Sequence, residues 1–239
     1  MSIVVPAVLP SSRKDLEEKL ILFAGIASVN RIQIDVVDGK FASPACWPYT
    51  APAELEAMVQ KGEMLPRLDR IEYEIDLMCL DISDAAQKWL ALGASRLTFH
   101  AEAATDLPRL LASARKQFGA GSNFALGLIS FGLALNIGSD LTLIEPCINE
   151  IEYVQFMGIA TIGRQGQSFD RRVFEKVRVF HANHPDIPVQ VDGGISLPVA
   201  KQLLSSGAST LVIGSSILKA KNPVSALALF DNLQGSYGV

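Results

Sequence analysis

Short β-rich apolar runs alternate with longer windows in which apolar residues recur every three or four positions. The runs are Ile3–Leu9, Arg31–Val36, Ile71–Met78, Arg96–His100, Asn123–Ile129, Tyr153–Ile159, Val189–Val191 and Thr210–Ile213. The windows are Ser12–Ala27, Pro52–Lys61, Ile82–Leu92, Asp106–Phe118, Leu141–Asn149, Phe169–His184, Leu197–Ser206 and Pro223–Gln234. Eight strand–helix repeats predict a single closed parallel (β/α)8 TIM barrel, one domain over residues 1–239, with a doubly wound open sheet as the alternative. Gly93 and Gly207 stand where helices end, and Pro52, Pro108, Pro198 and Pro223 where helices start.

Some polar residues break the apolar runs at their C-terminal ends. In a parallel barrel those ends share one mouth, where active sites lie. Asp35, in Ile34-Asp35-Val36-Val37-Asp38-Gly39, and Asp192, in Val191-Asp192-Gly193-Gly194, each end an apolar run that leads into a glycine turn. They suit acid/base work or metal binding, although Asp also serves turns and helix caps, as Asp38 could too. Asp76 lies inside an apolar run, and a buried carboxylate is costly, so a cation or hydrogen-bond donors should stand beside it. His100 ends the fourth run and is as well explained by a structural role as by a site role. Met78 and Met157 also fall at strand ends, where core packing is the plainer reading.

Glycine-rich loops follow the last three runs: Gly163-Arg164-Gln165-Gly166, Gly193-Gly194 and Gly214-Ser215-Ser216. Loops after late barrel strands commonly hold phosphate on backbone N–H groups, so three together favour a phosphate site over simple tight turns.

Net charge is −4 and no basic cluster exists, which argues against nucleic acid as a partner. Cys46, Cys79 and Cys147 form neither a zinc pattern nor a disulfide framework, and suit a reducing, cytoplasmic setting. No apolar stretch reaches the ~20 residues of a membrane span, and the first residues do not resemble a signal peptide.

These pieces, in this order, resemble the ribulose-phosphate 3-epimerase family. The matching segments are Ile34–Phe41, Asp76-Leu77-Met78, Phe99–Ala103, Gly132–Asn136, Gly166–Phe169, Val191–Ile195 and Gly207 through Ser215. The resemblance implies a barrel of the ribulose-phosphate-binding type that interconverts ribulose 5-phosphate and xylulose 5-phosphate. It implies that Asp35 and Asp192 act as an acid/base pair on opposite faces of C3, through an enediolate. It further implies Met78 and Met157 over the substrate, phosphate on the loops of Gly166, Gly193, Gly194, Gly214 and Ser215, and a divalent metal. A homo-oligomer is also expected.

The chain departs from the family at several positions. The family's two metal-binding His fall on Gln33 and Asp76, its strand-one Ser on Ala7, and the Met of its Asp-x-Met-Asp-Gly run on Val37. Its Pro-Gly-Phe-Gly-Gly loop reads Ile162-Gly163-Arg164-Gln165-Gly166. Two His and two Asp suit zinc or iron, whereas Gln33, Asp35, Asp76 and Asp192 form an all-oxygen set that favours Mg²⁺ or Mn²⁺. Without a cation the three carboxylates repel and at least one pKa rises. Arg164 is a further candidate cation for the site or for the phosphate. The competing functions are a non-catalytic sugar-phosphate-binding barrel and a related lyase or decarboxylase. Against the latter, Asp35-Val36-Val37-Asp38 lacks the Lys of an Asp-x-Lys-x-x-Asp run.

Overall fold

A computed structural model describes residues 3–118 and 129–233. Eight parallel strands close into a barrel in sequential order: β1 (Val4–Val8), β2 (Arg31–Val37), β3 (Glu72–Met78), β4 (Arg96–His100), β5 (Ser130–Leu135), β6 (Tyr153–Met157), β7 (Val189–Asp192) and β8 (Thr210–Ile213). Among the described residues the α-helices are α1 (Arg13–Ala24), α2 (Pro52–Gln60), α3 (Ile82–Ala91), α4 (Leu107–Phe118), α5 (Arg172–Asn183), α6 (Leu197–Ser205), α7 (Ser215–Leu218) and α8 (Pro223–Asp231). Among the described residues no helix is long and apolar enough to cross a membrane.

Three expectations need correction. The fifth barrel strand is Ser130–Leu135, whereas the expected strand Asn123–Ile129 lies outside the described residues except for Ile129. Gly132 weakens the strand signal there, because glycine is a poor strand former. Its missing side chain is required: a Cβ would collide with the Tyr153 ring on the neighbouring strand. The expected helix Leu141–Asn149 is two 3₁₀ segments, Leu141–Leu143 and Glu145–Glu150, divided at Ile144, with Pro146 in the first turn of the second, where it lacks the donor a continuous helix would need. Helix α5 starts at Arg172 rather than Phe169, because Asp170 ties back to the β6 loop through its N–H and accepts the Arg172 N–H on its carboxylate. The four-residue helix α7 has no counterpart in the sequence pattern.

Strand periodicity sorts the side chains. Ile32, Ile34 and Val36 belong to the main core between sheet and helices. The alternate residues Gln33 and Asp35 point inward and bond to other inward side chains. Val5, Ala7 and Val212 form a small apolar patch inside the barrel at the β8–β1 side. The remainder of the interior is strongly polar: Gln33, Asp35, Glu74, Asp76, Thr98, His100, Gln155, Gln190 and Asp192 are all buried. Such groups are tolerated only where they are hydrogen-bonded, so the barrel interior has to be a connected network.

Candidate active site

The network begins at the barrel floor. Arg96 pairs with Glu74 (Nε–Oε2 3.1 Å) and stacks over the Tyr153 ring, 4.0 Å from its centroid. Thr98 donates its hydroxyl to Glu74 (3.0 Å) and accepts from the Tyr153 hydroxyl (2.8 Å). Glu74 also accepts from Gln190 (2.5 Å), which lies within donor reach of Gln155 (2.7 Å) and Gln33 (3.3 Å) through the same nitrogen. Gln155 then donates to Asp76 (3.1 Å), and Gln33 donates to Asp35 (2.9 Å) and Asp192 (3.2 Å).

Register brings the carboxylates together. Asp35 on β2 pairs directly with Asp76 on β3, and Asp192 ends β7 across the mouth. Oxygens of Asp35, Asp76 and Asp192 all lie within 4.8 Å of one another, close enough to surround one cation. Burial raises the Asp35 carboxyl to about 7, with the Asp76 charge adding to the rise and the Gln33 hydrogen bond opposing it. Burial also pushes Asp192 well above the ordinary carboxylate range, and the charges of Asp35 and Asp76 push it further. Both carboxyls are thus shifted toward the protonated form.

Asp76 has the donors its burial demanded. His100 Nε2 lies 2.9 Å from its other oxygen, both residues being fully buried, and Phe41 packs on the imidazole. His100 meets Asp76 inside the barrel and is not among the residues that line the cleft above. Asp38 is a turn residue: it accepts the N–H groups of Lys40, Phe41 and Leu80 and so ties the β2 loop to the end of β3.

Above the carboxylates opens a cleft of about 510 Å³, counting space open to solvent. It is lined by Asp35, Asp192, Met78, Met157, Gly166, Gly193, Gly194, Gly214 and Ser215, among others. Gln33 and Asp76 lie beneath it as part of the interior network. The expected ligand role of Gln33 uses its amide oxygen, but the structure turns the amide nitrogen to the carboxylates and the oxygen to Gln190. Arg164 lines the same cleft yet donates to the Ser43 carbonyl (2.9 Å), so it braces the β2 loop.

The glycine loops interlock. Gly158 donates its N–H to the Asp192 carbonyl (2.5 Å), and a Cβ on Gly158 would strike the Gly193 carbonyl. Gly194, at φ +70°, approaches the Phe169 backbone to a distance that leaves a Cβ only 2.8 Å of room. Positive φ and close contact together demand glycine here. The first N–H groups of a helix have no intrahelical partner, so Ser215 at the start of α7 adds donors to the glycine cradle. Sequence reading missed Lys219, whose ammonium lies 2.8 Å from where a Gly166 Cβ would stand. It also passed over Gln190, Gln155 and Glu74, whose partners all come from distant strands.

The fold and site define a parallel β/α barrel with a buried carboxylate cluster under a glycine-lined cleft. The sequence matches the family described as "Ribulose-phosphate 3 epimerase family" over residues 3–218, and the chain belongs to that family. It is 29% identical over 163 residues to the ribulose-phosphate 3-epimerase, cytoplasmic isoform, of Oryza sativa subsp. japonica, covering 67% of this chain and 68% of the relative. It is 23% identical over 229 residues to the ribulose-phosphate 3-epimerase of Schizosaccharomyces pombe, covering 96% and 92%. Among solved structures, a ligand complex of KGPDC from Streptococcus mutans superposes with TM-score 0.69 at 18% identity, covering 98% of this chain and 97% of that one. Thiamine phosphate pyrophosphorylase from Pyrococcus furiosus gives TM-score 0.61 at 16% identity, covering 99% and 96%. At those identities the structural likeness speaks for the fold alone.

Proposed function

We propose that this protein is a sugar-phosphate 3-epimerase acting on ribulose 5-phosphate and xylulose 5-phosphate. The observation that carries the reading is that Asp35 on β2 and Asp192 on β7 both line one cleft, with both carboxyls raised by burial and by neighbouring carboxylate charge. A general base near neutral pH needs a raised carboxyl pKa, and an epimerase needs such a group on each face of the reacting carbon. One carboxylate takes the C3 proton, the electron pair moves into the C2 carbonyl, and the opposite carboxyl returns a proton to the other face. The Gln33 amide donates to whichever carboxylate is charged, so the cost of moving the proton between the two is reduced. Met78 and Met157, both buried, offer apolar walls that exclude water from the carbanion-like centre. The phosphate rests on the cradle of Gly166, Gly193, Gly194, Gly214 and Ser215.

The family resemblance implies a divalent metal, and the residues fit one of a particular kind. Asp35, Asp76 and Asp192 would hold it, an all-oxygen set suited to Mg²⁺ or Mn²⁺ rather than zinc or iron. Such an ion, when bound, supplies positive charge to the developing enediolate oxygen. The His100 and Gln155 hydrogen bonds orient Asp76 for that role.

The test is incubation with ribulose 5-phosphate in deuterated water. Deuterium at C3 together with xylulose 5-phosphate is expected, and binding without exchange overturns the proposal in favour of a non-catalytic sugar-phosphate barrel.

A further inference from the structure

Gln165 is a side chain the chemistry above does not use. It lines the cleft, and its Nε2 is buried with no hydrogen-bond partner among the described residues. A buried amide N–H without an acceptor is costly, about 1–3 kcal/mol, and calls for an explanation. A Cβ on Gly214 would lie 2.5 Å from this nitrogen and 3.3 Å from the Ala7 carbonyl, which places the carboxamide over the end of β1. The same amide bears on Asp35 and opposes the rise of its pKa, though not in hydrogen-bond geometry. Gln165 therefore stands between the proton-transfer carboxylate and the glycine cradle. Ala7 beneath it has no polar side chain of its own.

On the proposed function, C3 of the substrate sits by Asp35 and the C5 phosphate by Gly214. The carbon between them is C4, and its hydroxyl is the polar group closest to Gln165. We infer that Gln165 is a specificity-determining residue whose amide nitrogen donates a hydrogen bond to the C4 hydroxyl of a ketose phosphate. Among the described residues the donor has no acceptor in hydrogen-bond geometry, and a ligand lacking that hydroxyl leaves it so. Discrimination by an unpaired buried donor is the stronger kind.

This inference rests on the epimerase reading, and the experiment separates the two. Binding of ribulose 5-phosphate and of its 4-deoxy analogue is measured by calorimetry on the wild type, Gln165→Ala and Gln165→Met. The wild type is expected to prefer the hydroxylated ligand about ten-fold, and both variants to lose that preference while inorganic phosphate binds them as before. Met keeps the length of the side chain, so it controls for lost packing. A wild type that binds both ligands equally, or a preference that survives in the variants, overturns the role of Gln165 while leaving the epimerase reading intact. A wild type that binds neither ligand overturns both.

Discussion

Gln190 determines which end of the Gln33 amide faces the carboxylates. Its nitrogen lies 3.3 Å from the Gln33 oxygen, and a turned Gln33 would set nitrogen against nitrogen there and oxygen against Asp35 and Asp192 on the other side. Gln190 is oriented in turn by Glu74, and Glu74 by Arg96. The donor presented to the reacting pair is therefore specified through a chain of side chains that begins at the opposite end of the barrel.

Gln190→Leu should cost about 1–3 kcal/mol in denaturant unfolding, since it strips a donor from Glu74 and Gln155. It should also lower kcat more than it raises KM, because it acts on the acid/base pair and not on the cleft. A change in KM alone contradicts the relay.

Asp35→Asn and Asp192→Asn should each reduce C3 proton exchange by about 10²–10⁴-fold, the usual worth of a general acid or base. Nuclear magnetic resonance in deuterated water reads it directly. Exchange at the wild-type rate in either variant removes that residue from the pair.

The same two residues give a pH signature in stability. A carboxyl whose folded pKa is raised binds its proton more tightly in the folded state than in the unfolded one. Its contribution is full below the unfolded value of 3.8 and is lost as pH rises through the folded value of about 7 for Asp35. Melting temperature of the metal-free protein should thus decline between about pH 4 and about pH 7 more steeply in the wild type than in Asp35→Asn. Parallel profiles for the two proteins would contradict the shift.

Metal preference follows from the ligand set. After chelation, Mn²⁺ or Mg²⁺ should restore activity better than Zn²⁺. Gln33→His combined with Asp76→His, which puts imidazoles at both departures from the family pattern, should reverse that order in calorimetric binding. Recovery by zinc alone in the wild type would exclude the hard-cation assignment.

Gly214→Val should weaken phosphate binding about ten-fold, ~1.4 kcal/mol, because the new side chain meets Gln165 and the Ala7 carbonyl at the cradle. Circular dichroism should be unchanged. Undiminished phosphate affinity would move the cradle elsewhere.

The barrel was legible in sequence because each strand is a short apolar run and most helices carry a proline, a cap or a terminal glycine. Ser12, Asp81 and Asn222 do cap α1, α3 and α8. Asp35 and Asp192 stood out because an Asp near the end of a short apolar run, with Gly39 and Gly193 soon after, is a local signal. Asp76 announced a partner, but His100 and Gln155 as those partners depend on β4 and β6 lying alongside, which spacing does not reveal. Glu74, Gln155 and Gln190 were illegible for a related reason: a polar residue inside a short strand looks like a solvent-facing position until the sheet closes. Gly132 hid β5, since its purpose is room for Tyr153 on the next strand. The orientation of Gln33 lies further out of reach, because it is set by neighbours of neighbours.

Arg96 stacked on Tyr153 and paired with the fully buried Glu74 sets a layer of side chains between the lower end of the barrel and the carboxylates. Met78 and Met157 line the cleft at the other end, where the proposed sugar would stand. On the proposed chemistry, a hydrogen lifted from C3 stays with two aspartates and one amide while the ligand covers them. Isotope washed from substrate into solvent should then keep time with ligand release, so that the rear wall of the protein sets how faithfully the front remembers which hydrogen it took.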